Sequence, residues 1–85
     1  MHKEKEKLEK IIKYRLSYSG MKETDILYKR LILDKLKYLN ENELKLLSNL
    51  FTEVSDVRIF NMLTSKEALI KKYENLIKKI LNGSN

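Results

Sequence analysis

Apolar residues recur along this chain at helical spacing from near its start to near its end. Leu8, Ile11, Ile12 and Leu16 lie three and four positions apart, which predicts a helix over roughly 3–17. Ile26, Leu27, Leu31, Leu33 and Leu36, with Tyr28 and Ile32 alongside, predict a second helix over 22–38. Its apolar face is wide, as in a central element. Leu44, Leu47, Leu50 and Phe51 predict a third helix over 41–52; Ile59, Phe60 and Leu63 predict a short fourth over 57–63. A fifth, over 66–82, carries Leu69, Tyr73, Leu76, Ile77, Ile80 and Leu81 on one stripe.

The polar residues between these stretches supply the boundaries. Asn40-Glu41-Asn42-Glu43 has the pattern of a capping box, with the asparagine accepting from the N3 amide and Glu43 reaching back. Ser55 before Asp56 offers an N-cap for the fourth helix, and Ser65 one for the fifth, with Gly83 suited to its C′ position. Proline is absent and glycine occurs only twice, so the chain has few ways to stop a helix. The expected fold is all-α: a small five-helix bundle forming a single domain over 1–85, with 1–7 and 83–85 frayed. Its core is expected around Leu27, Leu31, Leu44, Leu47, Phe51, Phe60, Leu63, Tyr73 and Leu76.

Eighty-five residues suffice for one domain, burying about 60–65% of the surface of the unfolded chain. At 42% hydrophobic, the sequence lies outside the disordered range despite 35% charged residues. The absence of cysteine excludes a disulfide scaffold and thiolate metal sites. No apolar run reaches the length of a membrane span, and residues 2–7 alternate charges where a signal peptide would be apolar. A cytoplasmic protein that does not span a membrane is expected.

The net charge of +6 raises the question of a nucleic-acid partner. Fifteen of the 18 basic residues are lysine, interleaved with Glu4, Glu6 and Glu9 at one end and with Glu67 and Glu74 at the other. A surface that tracks phosphates is more usually a one-sign stripe with arginines, so solvated helix faces explain the pattern better and no nucleic acid is expected. Catalytic chemistry finds little to use. His2 is the one histidine, and no glycine-rich phosphate loop or nucleophile–base pairing occurs. A bundle of this size leaves no obvious cofactor pocket. Neither a metal nor an enzymatic activity is expected.

One stretch stands apart. Ser19-Gly20-Met21-Lys22-Glu23-Thr24-Asp25 breaks the helical pattern, with Gly20 as the only glycine before the C-terminal tail. A glycine there allows φ > 0 or the close approach of another backbone. Glu23 and Asp25 open the following helix, where acids complement the helix dipole by about 0.3–1 kcal/mol each. That accounts for their sign and place as well as a contact with a second molecule does. Tyr14 and Tyr18, four apart, suit either packing on a neighbouring helix or a rim around the turn.

These residues resemble the SdhE-type FAD assembly factors of succinate dehydrogenase. The hallmark of that family is an Arg-Gly-x-x-Glu motif, often followed by x-Asp, between a first helix and an apolar second one. Gly20, Glu23 and Asp25 match it, Met21 is a frequent occupant of its position, and Arg15-Leu16-x-Tyr18 is similar to the family's lead-in. Leu39-Asn40-Glu41-Asn42-Glu43-Leu44 resembles its Leu-Ser/Thr-x-x-Glu-Leu turn. Asp56 to Leu63 is similar to its Asp-x-Asp-Leu-Phe/Tyr-Asn-Trp-Leu segment. Three pieces fall in register between Arg15 and Leu63. Ser19 stands where the family has arginine, Arg58 replaces the second aspartate and Met62 replaces the tryptophan.

The resemblance implies an assembly factor and not an enzyme. Its partner would be the flavoprotein subunit of succinate dehydrogenase, or of fumarate reductase, and its effect the covalent attachment of FAD to a histidine of that subunit. Docking is expected through Arg15, Tyr18, Ser19, Gly20, Met21, Lys22, Glu23 and Asp25. No FAD would be bound tightly by this chain itself, which would act on FAD held by the partner as a monomer or weak homodimer. Two other classes stay open: a generic helical interaction module, and a helix-turn-helix DNA binder built on 41–52 and 57–63. The DNA reading meets the difficulty that 57–63 is mainly apolar with one basic side chain, Arg58.

Overall fold

The computed structural model of the chain describes residues 2–17 and 20–82. In these residues five α-helices follow one another, with no strand: α1 (His2–Leu16), α2 (Lys22–Leu31), α3 (Glu41–Glu53), α4 (Asp56–Leu63) and α5 (Glu74–Asn82). Two 3-10 segments, Leu33–Tyr38 and Lys71–Tyr73, complete the order. The expected tail at 83–85, Gly83 included, lies outside the described residues. α1 lies along α3, α2 reaches α4, and α5 also packs on α3.

The expected all-α architecture is present, and two of its caps are as the sequence reads. Asn40 accepts from the Glu43 amide at 2.8 Å while the Glu43 carboxylate accepts from the Asn40 amide at 2.9 Å. Ser55 accepts from the Arg58 amide at 3.3 Å and starts α4. These are interactions within three residues, so local sequence is enough to specify them.

Two helices differ from expectation. The one expected over 22–38 ends at Leu31, after which residues 33–38 tighten into 3-10 geometry. Leu33, Leu36 and Leu39 are spaced by three, which suits 3.0 residues per turn and would drift around an α-helix. Leu36 and Leu39 are thereby buried. The helix expected over 66–82 starts only at Glu74, and Ser65 is not its N-cap. Ser65 instead ends α4, at φ 64°. The Lys66 amide donates to the Asn61 carbonyl at 2.7 Å and the Ser65 amide to that of Met62 at 3.3 Å. This is a Schellman termination with serine where glycine is usual.

The core runs through all five helices. Ile12, Leu16, Tyr28, Ile32, Leu44, Leu47, Leu50, Ile59, Met62, Tyr73, Leu76, Ile77 and Ile80 are buried. Six of the expected core positions are among the buried residues, but Leu27, Leu31 and Phe60 are only half-buried. In α2 the buried stripe is Thr24, Tyr28 and then Ile32, while Ile26 is exposed. Apolar residues on several sides of a short helix leave its facing open, and the neighbours decide it. Glu43 joins α3 to α5 through Lys79 Nζ at 2.7 and 2.8 Å. The Lys79 hydrogen bond, with a further one from the Asn40 amide, holds the Glu43 carboxyl below its ordinary pKa.

Candidate functional site at the Gly20 turn

Gly20 turns the chain at φ 81° between α1 and α2. A Cβ placed there would meet no atom within 4 Å. The glycine is therefore required by its backbone conformation, and its outer face is open to another molecule. Met21 follows in extended geometry, at φ −129° and ψ 127°, as an N-cap that supplies no side-chain hydrogen bond. Its carbonyl accepts from the Asp25 amide at 3.0 Å, closing the first turn of α2.

Glu23 and Asp25 do not form a pair on one face. Two positions apart on an α-helix correspond to a rotation of about 200°. Glu23 is exposed with Lys22, whereas Asp25 and Met21 are half-buried. Asp25 lies three residues before Tyr28, on the same side of α2. Thr24, between them, is fully buried, and its hydroxyl has no hydrogen-bond partner among the described residues. Tyr18 and Ser19, also expected at this site, lie outside the described residues.

Behind the turn, four helices meet at a polar junction. Arg15, in the last turn of α1, places one terminal nitrogen 3.0 Å from each carboxylate oxygen of Asp56 at the start of α4. Tyr28 of α2 donates its hydroxyl to the same carboxylate at 2.6 Å. The Arg15 guanidinium also lies over the Phe51 ring of α3 at 5.3 Å, and Tyr28 meets that ring edge-on at 5.4 Å. Burial, and then the hydrogen bond to Asp56, pushes the Tyr28 phenol well above its ordinary pKa of 10.0. The phenol is held as a neutral donor. Asp56 also carries its negative charge at a helix N-terminus, where the dipole favours it. Of the expected site residues, Arg15 thus faces inward and fixes the end of α1 relative to the start of α4.

Large apolar side chains are exposed next to the junction residues in the chain or in a shared cleft. Ile11, Tyr14 and Val57 are 56%, 69% and 55% exposed. Tyr14 precedes Arg15 in the chain and Val57 follows Asp56, while Ile11 and Arg15 share a cleft of about 120 Å³ with Phe51, Ser48 and Thr52. Most of the Tyr14 surface is open to solvent. Large exposed apolar side chains beside a partly shielded polar centre have the composition of a protein-docking patch. Tyr28 and Asp56 were not legible as site residues from helical spacing. The signal that could have found Asp56 is that it begins one of the segments carrying the family resemblance, as Arg15 begins another.

Among the described residues no three or more His, Cys, Asp or Glu side chains gather to hold a metal ion, and no helix is long and apolar enough to cross a membrane. No curated protein and no solved structure is significantly similar to the chain. One family does match, over residues 10–84, and its description is flavinator of succinate dehydrogenase. That span takes in the Gly20 turn, the Arg15–Tyr28–Asp56 junction and all of the helical core beyond the first turns of α1, so the protein belongs to the family of succinate dehydrogenase flavinators.

Proposed function

We propose that this protein docks on the flavoprotein subunit of succinate dehydrogenase and promotes the covalent attachment of FAD to it. The family match over residues 10–84 carries the reading. The open face of Gly20 and the apolar surface beside the Arg15–Asp56 junction support it. The mode of action is positional. A rigid helical module presents Gly20 for close backbone approach, Glu23 for polar contact and Met21 for adaptable apolar contact. Held against this surface, the partner keeps its flavin and its acceptor histidine in an arrangement where they react, so that the bond is made by the partner's own chemistry. FAD is the substrate of that reaction, held by the partner, and the helical module works in the cytoplasm without being a catalyst itself.

A DNA-reading role has weak support. α4 would be its recognition helix, yet Ile59, Met62 and Leu63 of α4 are buried and Arg58 is paired with Glu67 at 3.3 Å. Base reading requires several polar side chains directed into the groove.

The test is covalent flavin in the partner subunit, read as fluorescence of the denatured subunit in a gel, with each variant co-expressed at matched level. Glu23→Ala should leave stability within about 0.3–1 kcal/mol, the size of a lost dipole contact. It should nevertheless reduce flavin attachment, since a central interface side chain is worth about 2 kcal/mol or more. Gly20→Val should reduce it further, through the strained backbone and the filled open face. Normal attachment with both variants would remove the site assignment. No attachment with the parent protein and its cognate subunit would remove the functional reading, with Ser19 in place of arginine as the first place to look.

A further inference from the structure

A second concavity lies away from the Gly20 turn. It is an open groove of about 1010 Å³, bounded by α1, the end of α2, the 3-10 segment Leu33–Tyr38 and Leu81 of α5. Its near wall starts at Arg30, eight residues along α2 from Lys22, or about 12 Å of helix axis. The groove lies where α2 stops at Leu31 and the tighter 3-10 segment follows it. Leu31, Leu33 and Leu81 line it half-buried, and Tyr38 stands 66% exposed at its edge.

Charge is distributed unevenly along the chain. Residues 1–38 hold eleven basic and six acidic side chains, whereas 39–85 hold seven and six. The second half settles most of its cations in ion pairs: Lys45 with Glu41, Arg58 with Glu67, Lys72 with Glu53, Lys78 with Glu74 and Lys79 with Glu43. At the groove, Lys13, Arg30 and Lys37 are exposed, and none has a carboxylate within ion-pair distance among the described residues. Lys35 is occupied with the Ile80 carbonyl at 2.9 Å, and Lys37 also lies 5.3 Å from the Tyr38 ring. Glu9 and Asp34 interrupt the basic rim, so it is not the single-sign track that follows a nucleic-acid backbone. The described residues contain no strand, hence no sheet edge to which an extended peptide could add. Helix-in-groove binding is the mode that remains for a leucine floor.

We propose that this groove takes an acidic, amphipathic helical segment of a protein partner. Its apolar stripe would lie on Leu31, Leu33 and Leu81, with its carboxylates meeting Lys13, Arg30 and Lys37. The proposal is independent of the Gly20 docking surface and of the identity of the flavoprotein.

The test uses the full chain labelled with ¹⁵N and a synthetic peptide of about 14 residues with leucine at helical spacing and glutamate elsewhere. A second peptide replaces every glutamate with lysine. The glutamate peptide should shift the amides of 31–38 and Leu81 in a saturable, salt-sensitive way, and the lysine peptide should not. The double variant Lys13→Glu, Lys37→Glu should weaken the glutamate peptide at least about tenfold, with an unchanged melting curve. Leu33→Ser provides a second variant directed at the floor and should weaken the peptide at unchanged salt dependence. Equal binding of the lysine peptide, no binding of either, or shifts confined to the Gly20 turn would overturn the proposal. So would FAD alone shifting the groove amides at lower concentration than the peptide, which would make the groove a small-anion site.

Discussion

Arg15 and Asp56, forty-one residues apart, meet at 3.0 Å and clamp the end of α1 to the start of α4, with the Tyr28 hydroxyl on the same carboxylate. The side chains of the pair are 31% and 17% exposed, so the pair is shielded from water without being sealed from it. Salt bridges open to water are worth little, and fully buried ones are costly to break. This junction lies between the two, and its hydrogen bonds are charge-assisted.

Asp56→Ala should therefore destabilise the fold by about 1–3 kcal/mol, because it leaves the buried Tyr28 phenol without its acceptor and removes the Arg15 ion pair. Asp56→Asn, which keeps an acceptor for Tyr28, should cost less. Urea denaturation of the three proteins measures the order. An alanine variant as stable as the parent would mean that the junction contributes no stability.

Ser65 holds a left-handed conformation that glycine adopts without a Cβ penalty. Ser65→Gly is expected to raise stability by about 0.5–1 kcal/mol, net of the extra freedom glycine gives the unfolded chain. Thermal melting is the measurement. A lower melting temperature would show that the serine side chain contributes more than its backbone strain costs.

Thr24 is buried with an unpartnered hydroxyl, next to the two acids of the Gly20 turn. Exchanging that hydroxyl for a methyl group of similar size removes the desolvation cost. Thr24→Val should gain about 1 kcal/mol, whereas the same change at a hydrogen-bonded threonine would lose stability. If Thr24→Val destabilises instead, the hydroxyl has a partner in solution.

Glu43 gives a pH dependence with a definite sign. Its folded pKa is depressed by Lys79 and by the Asn40 amide, from an ordinary value of 4.5. In acid the unfolded chain takes up this proton first, so stability rises with pH through the window. The contribution is complete above about 4.5 and is lost as pH falls through the lower, folded value. Denaturant midpoints against pH for the parent and Glu43→Gln should converge in acid and separate above it. Parallel curves would mean that the pair is not formed in solution.

Legibility followed the range of the interaction. The Asn40 capping box and the Ser55 cap were readable because donor and acceptor lie three residues apart, within one turn. The break at Gly20 was readable because a lone glycine between two apolar periods has few other uses. Ser65 misled for the same local reason. A serine before a lysine and a glutamate looks like a helix start until the Asn61 carbonyl takes the Lys66 amide.

The sequence by itself determined the fold class, the order of the helices and the place where the chain turns, because periodicity, caps and breakers act within a few residues. Only the tertiary structure decided which face of α2 is buried. Its apolar residues surround much of the helix, and α1, α3 and α4 select Tyr28 over Ile26. It also decided that Arg15 turns inward to Asp56 while Tyr14 stays on the surface. Charge and ring type are written in the chain, but the partner that uses them is found through space, after the backbone has closed a loop of forty-one residues.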